Sequence, residues 1–428
     1  MDKLKFRRGC ALATTLCMLL TGCSLGAGSS EEKAASSVAA PSNAPAVEAP
    51  QTTASPVEQT GFGYEASGAM QVIDGAIFEK LVLLGGSPWL VTQQEDGGLS
   101  LENLDSGSSV QPEMNGTVLA ACGGEEGIWC CVEQDGSMTF RQYDSQGVNA
   151  SSVELSLNGA YPSDLAVDGN GYFYVLSSDQ VLVYSGNGKN VSSLTLPTGS
   201  VGMRLASLSD GQVVLTSSES GKGNAVRLLT TESIGKTLTD DSSKFLSYSG
   251  YGALLSGGGN LYVMDTENNQ MTTLLNWVDS GVDSGILADC IAADENTVWY
   301  VTSDESGMHL GSLLRVAASE LPQRETVNVG IGGSVDVALT GRITALAVDY
   351  NKTQEDRSIH LVDYSLYADG DQRLAQDAGD LDLVIGDETV MDAANLLDLT
   401  TLYDDQVGTG TILTGVQNAT RSDRLPLS

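Results

Sequence analysis

The chain has 428 residues, room for two or three domains, and its 55 Asp and Glu against 21 Lys and Arg give a net charge of −34. So acidic a chain repels nucleic acid and anionic headgroups, and no nucleic-acid partner is expected. A hydrophobic content of 41% is enough for real cores, so the acidity marks a solvated surface rather than wholesale disorder.

The first segment reads MDKLKFRRGCALATTLCMLLTGCSLG. Lys3, Lys5, Arg7 and Arg8 make a positive start, and Gly9 to Leu20 is an apolar run too short to cross a bilayer as a helix. Leu20-Thr21-Gly22-Cys23 follows and resembles the lipobox of bacterial lipoproteins. The resemblance implies that residues 1–22 are a lipoprotein signal peptide and that Cys23 becomes the lipidated N-terminus, anchored on the extracellular face of the cell membrane. An ordinary signal peptide that happens to contain cysteine is the competing reading. Each buried methylene of the acyl chains contributes about 0.8 kcal/mol, so two or three chains hold firmly. Between Ser24 and Thr60 there is no aromatic residue, and Pro41, Pro45, Pro50 and Pro56 lie among Ala, Ser, Thr and Glu. Residues 23–61 therefore read as a disordered tether, spanning on the order of 35 Å.

A repeat occupies residues 62–322. In its clearest copy, Ser163 to Leu196, Leu165–Val167 is a strand and Asp168-Gly169-Asn170-Gly171 a tight turn. Tyr172–Leu176, Val181–Tyr184 and Leu194–Leu196 are three further strands. Four antiparallel strands in about 40 residues make one propeller blade. Similar copies place second strands at Trp89-Leu90-Val91, Ile128-Trp129-Cys130, Gln212–Leu215, Leu261-Tyr262-Val263 and Val298-Trp299-Tyr300. The expected fold class is thus mainly β, a propeller of about six blades, with a β-sandwich or solenoid as the alternative. The outline resembles NHL- and quinoprotein-like propellers.

Chemistry-bearing motifs are scarce. The chain's two histidines, His309 and His360, sit in different contexts, which speaks against a histidine-based zinc site or a Ser-His-Asp triad. Cys122, Cys130, Cys131 and Cys290 read as buried small hydrophobes, with the neighbours Cys130 and Cys131 on opposite strand faces. Ser233-Ile234-Gly235-Lys236-Thr237 imitates the end of a phosphate-binding loop, but Thr230 stands where its first glycine belongs. Tyr367 to Gln372 has carboxylates without calcium-loop spacing. No enzyme, metal or cofactor is expected.

From Thr326 the periodicity changes. Thr326–Val329 is a strand, and Leu339, Ile343, Leu346 and Tyr350 then recur on one face of a helix, which is expected to be its buried face. Ile359–Val362 is a strand, Asp371–Asp377 a short helix, Leu381–Ile385 a strand and Ala393–Leu399 helical again. This β-α-β-α-β order starts a doubly wound parallel sheet.

Within it DYNKTQEDRSIHLVDYS, Asp349 to Ser365, resembles a helix-to-strand passage of bacterial extracellular solute-binding lipoproteins of the sugar-binding family 1 type, as do GDLDLVIGD, Gly379 to Asp387, and NLLDLTTLYDD, Asn395 to Asp405. Leu361 stands where the family has valine, and Leu381 where it has proline. The resemblance implies a periplasmic-binding-protein-like α/β domain over residues 323–428, a partial one, since two lobes need more chain than follows Thr326. It also implies carbohydrate uptake with an ABC importer permease and a small solute such as an oligosaccharide. Ligands of open α/β sheets sit at the carboxyl ends of strands. Gly332, Gly333, Asp387 and Glu388 are therefore the candidate ligand-binding residues. A small α/β cap on the propeller is the alternative for the tail. A non-catalytic surface propeller that binds glycan or protein is the alternative for the whole.

Overall fold

The structure, a computed structural model, describes residues 61–386 apart from 158, 209, 220–222, 240–244, 250–251, 266–269 and 368. Two short strands come first, β1 (Phe62–Ala66) and β2 (Gln71–Ile73). Five consecutive four-stranded antiparallel units follow in chain order. The first holds β3 (Ala76–Leu84), β4 (Ser87–Gln94), β5 (Leu99–Asn103) and β6 (Ser108–Val110). The second holds β7 (Thr117–Gly123), β8 (Ile128–Gln134), β9 (Ser137–Tyr143) and β10 (Asn149–Leu155). The third holds β11 (Asp164–Val167), β12 (Phe173–Ser177), β13 (Gln180–Tyr184) and β14 (Asn190–Thr195). The fourth holds β15 (Ser200–Ser207), β16 (Val213–Glu219), β17 (Gly223–Leu229) and β18 (Ile234–Thr239). The fifth holds β19 (Phe245–Ser249), β20 (Gly252–Gly257), β21 (Asn260–Asp265) and β22 (Gln270–Asn276).

The sixth unit contributes three strands of its own, β23 (Leu287–Ala292), β24 (Thr297–Asp304) and β25 (Gly307–Ala317). Its outer strand comes from the other end of the described chain. β1 pairs antiparallel with β25, Phe62 opposite Ala317 and Ala66 opposite Leu313, and β2 continues along the same edge, Gln71 opposite Leu310. The inner strands β3, β7, β11, β15, β19 and β23 each touch the next, and β23 touches β3. The result is a closed six-bladed β-propeller.

The apolar alternation of the strands explains the ring. Leu81 and Leu83 point into the junction of blades six and one, while Val82 and Leu84 point into the junction of blades one and two. Each of the six junctions carries its own apolar cluster. Cys130 lies in the blade one–two cluster and Cys131 in the blade two–three cluster, on opposite faces as alternation requires; Cys122 and Cys290 are buried too. Aspartates cap many of the hairpin turns. Asp96, Asp144, Asp168, Asp210, Asp294 and Asp304 each accept a bond from the backbone N–H two residues on. Part of the chain's acidity is therefore turn chemistry.

One strand assignment changes. Leu261-Tyr262-Val263 lies in β21, the third strand of blade five, because the Gly258-Gly259 turn joins β20 to β21. The blade's inner and second strands are β19 and β20.

After blade six come β26 (Glu325–Ile331), helix α1 (Val337–Thr353), β27 (Arg357–Asp363), helix α2 (Gly370–Asp377) and β28 (Leu383–Ile385). The three strands are parallel in the order β27-β26-β28, so this segment is a small α/β unit. Asp336 caps α1, accepting from the N–H of Ala338 and Leu339. The buried side of α1 is Thr340, Thr344, Ala347, Val348 and Asn351, not the expected stripe: Leu339 and Leu346 are exposed, and Tyr350 is half-buried. The helix is rotated because Asn351 must face inward. Its amide donates to Val278 O (3.2 Å) and Ile359 O (2.9 Å) and accepts from Ile359 N–H (2.7 Å). The same interface joins the unit to the propeller through Asn276 Nδ2 to Leu361 O (2.9 Å) and His360 Nδ1 to Asp279 Oδ2 (2.7 Å).

Candidate functional site

The propeller axis holds a cavity of about 760 Å³. Its walls are the inner strands of blades one to four, with Trp129 and Gln142 of blade two and, from blade six, Asp289. Its rim is the set of turns that leave those strands, including Gly85-Gly86, Gly124-Glu125-Glu126 and Asp168-Gly169. Along the inner strands no lining residue lies before Lys80, Leu165 or Arg204, so the cavity is a funnel that ends at one level.

That level is a layer of ion pairs between blades. Lys80 of blade one reaches Asp164 of blade three (3.1 Å), and Arg204 of blade four reaches Asp289 of blade six (2.8 Å). Asp164 also accepts from the N–H of Leu165 (3.0 Å) and of Leu205 on blade four (2.8 Å). Asp289 accepts from the N–H of Cys290 (2.9 Å) and of Leu81 on blade one (3.1 Å). A rotation by three blades maps one constellation onto the other, so the floor has a local two-fold axis. Each carboxylate is buried and ties three blades together, a cation two blades back and a backbone N–H one blade on.

Glu79 breaks the symmetry. Burial raises its pKa, and the nearby Asp289 carboxylate raises it further against the pull of Arg204 and Lys80. Burial alone would lower the Arg204 pKa, but Asp289 and Asp164 outweigh it, and the guanidinium stays charged. On the wall, burial and the charge of Asp164 push the Cys122 thiol well above its usual range, which leaves it a poor nucleophile. Trp129 stands on the funnel wall in a T-shaped contact with Phe173, centroids 4.7 Å apart.

The rim is tight where glycines meet. A Cβ on Gly123 would lie 1.7 Å from Leu83 O, so only glycine lets blades one and two close there. Gly169 N–H donates to Gly211 O (2.9 Å), and Gly211, at φ 80°, packs its Cα against Gly169.

The residues singled out in the sequence lie elsewhere. Gly332 and Gly333 follow β26, at its carboxyl end, and are covered by the start of α2. Gly332 N–H donates to Ile385 O (2.8 Å), and a Cβ on it would lie 2.3 Å from Asp371 Oδ1. Asp371 in turn accepts from Ser334 Oγ (3.1 Å). Asp387, Glu388 and Cys23 lie outside the described residues. Among the described residues no group of three or more His, Cys, Asp or Glu is placed to hold a metal ion.

The floor residues were not singled out from sequence, although a signal exists. Lys80, Asp164, Arg204 and Asp289 each stand directly before an apolar run in an inner strand: Leu81-Val82, Leu165-Ala166, Leu205-Ala206 and Cys290-Ile291. A charge at one repeat position in four of six blades is visible only once the copies are aligned.

No family model and no curated protein matches the chain. Among solved structures, a streptogramin B lyase is 12% identical with a TM-score of 0.39, over 60% of this chain and 98% of that one. Virginiamycin B lyase from Staphylococcus aureus is 12% identical with a TM-score of 0.37, over 59% of this chain and 99% of that one. The β-propeller domain of Cps50 (Swd1) from Myceliophteria thermophila is 11% identical with a TM-score of 0.39, over 60% of this chain and 91% of that one. The blade count rests on the strand pairing above and not on these likenesses.

Proposed function

We propose that this chain is a lipid-anchored extracellular module that binds a small polar solute, without transforming it, in the funnel of its propeller. The observation that carries the reading is the floor. The Asp164 and Asp289 carboxylates are buried beneath their cations and bonded to backbone N–H groups, so this pair offers fixed hydrogen-bonding groups rather than a base poised to move a proton. The volume of about 760 Å³ falls within the span common for small-molecule sites. The anchor rests on Leu20-Thr21-Gly22-Cys23. Calorimetry of the full chain against sugars, amino acids and short peptides tests the binding; one class should bind at micromolar levels or tighter, and silence across the panel would refute the reading. Labelled palmitate should enter the wild type and not Cys23→Ala.

A second reading is favoured by the parallel order β27-β26-β28 with a glycine loop at the carboxyl end of β26. In it the α/β unit is part of a solute-binding domain that hands a carbohydrate to an ABC importer permease. Binding that is lost in Asp371→Ala and kept in funnel variants would support this reading over the first.

A further inference from the structure

Resting on the funnel reading above, we infer that the solute is a short peptide with both ends free, its terminal carboxylate on the floor and its ammonium group at the rim. Three features of the funnel converge on it.

The first is which member of each ion pair is the more exposed. The side chains of Lys80 and Arg204 are 17% and 24% exposed, against 5% for Asp164 and for Asp289. A ligand that reaches the floor therefore meets cationic N–H donors. Lys80 Nζ has three donors, and Asp164 takes one. A carboxylate is the matching group, because charge-assisted bonds are the stronger ones.

The second is the sign of the rim. Glu125 and Glu126 are exposed on the turn after β7, and Asp168 is half-buried on the turn of the adjacent blade three. The whole chain carries −34. A simple anion is repelled before it reaches the floor. A ligand with a cationic end pointing outward satisfies both levels.

The third is distance. From Lys80 to Gly85 the inner strand takes five steps, about 16 Å at roughly 3.3 Å per residue. An extended peptide advances by the same amount per residue, so about four to five residues, end groups included, span floor to rim. A single amino acid leaves one end unpaired. Saccharides fit less well, since Trp129 is the one aromatic residue on the wall and offers at most one stacking surface.

Calorimetry with the full chain in detergent tests this, using tetraalanine, its C-terminal amide, its N-acetyl form, free alanine and maltotetraose. Tetraalanine should bind, and the amide and the N-acetyl form should each bind about tenfold more weakly or worse. Free alanine should bind more weakly still. Replacing Lys80 or Arg204 risks the fold, so the variant is Glu125→Gln with Glu126→Gln, on an exposed turn. It should weaken tetraalanine several-fold, leave the N-acetyl form unchanged and reduce the salt dependence. An N-acetyl form that binds as tightly as the free peptide overturns the inference and points to a protein C-terminus as ligand. Maltotetraose binding without peptide binding overturns it while the funnel reading stands. No binding by any of the five overturns both.

Discussion

Asp289 is 4% exposed and accepts bonds from Arg204, from the Cys290 N–H and from the Leu81 N–H of the next blade. Removing one partner of a buried pair leaves an uncompensated charge, and here it also orphans two backbone donors. Asp289→Ala should cost about 3 kcal/mol or more in denaturant unfolding, and Asp164→Ala a similar amount, because the same constellation recurs three blades away. A loss below about 1 kcal/mol for either would contradict the account of the floor. His360 works at a different junction, holding β27 to the Asn276–Gly281 loop of the propeller through Asp279. Burial acts against its imidazolium, but the Asp279 carboxylate bonded to Nδ1 prevails and raises its pKa above the ordinary 6.5. A raised folded pKa means a contribution fully present below about pH 6.5 and lost as pH rises through the folded value. The melting-temperature difference between wild type and His360→Gln should therefore be larger at about pH 5.5 than at about pH 8.5. The opposite trend would show that the ion pair does not form.

Helix α1 presents Leu346, 69% exposed, to solvent and Val348, 2% exposed, to the sheet. Leu346→Glu should change stability by no more than about 0.5 kcal/mol, whereas Val348→Asp should cost at least about 3 kcal/mol. The reverse order would restore the face that the apolar period suggested. That period misleads because two threonines, an alanine and Asn351 fill the buried face, and Asn351 is held there by hydrogen bonds to β27 and the propeller rather than by apolar area. Most blades are legible for the opposite reason: alternating apolar residues and Asp-Gly or Gly-Gly turns are local signals. The strand that completes blade six is not. β1 buries Tyr64 alone among its five residues, so it shows no alternation, and its partner lies some 250 residues on. Blade five is half legible, since its glycine run marks a turn without saying which one. Tyr64→Ala, which empties a site beside Trp277 and Leu313, should cost about 3 kcal/mol, read by thermal or urea unfolding. An effect near zero would mean that β1 does not close the ring.

At the scale of the molecule, a closed ring of blades leaves a funnel that ion pairs between strands two blades apart seal at one level, and a small parallel α/β unit is docked to blade five. None of the four floor residues is near another in sequence; Lys80 and Asp289 stand over 200 residues apart, and only the ring brings them together. The candidate glycines of the α/β unit, by contrast, are a local motif, and the structure shows α2 packed over them. The two sites separate cleanly in hydrogen exchange. With the tightest ligand of the binding panel at saturation, amides of the funnel strands and turns, from Ala120 to Gly127, Leu165 to Gly171 and Leu205 to Leu208, should exchange more slowly, while those from Gly330 to Ser334 stay unchanged. Protection confined to Gly330–Ser334 and the start of α2 would contradict the funnel as the binding site.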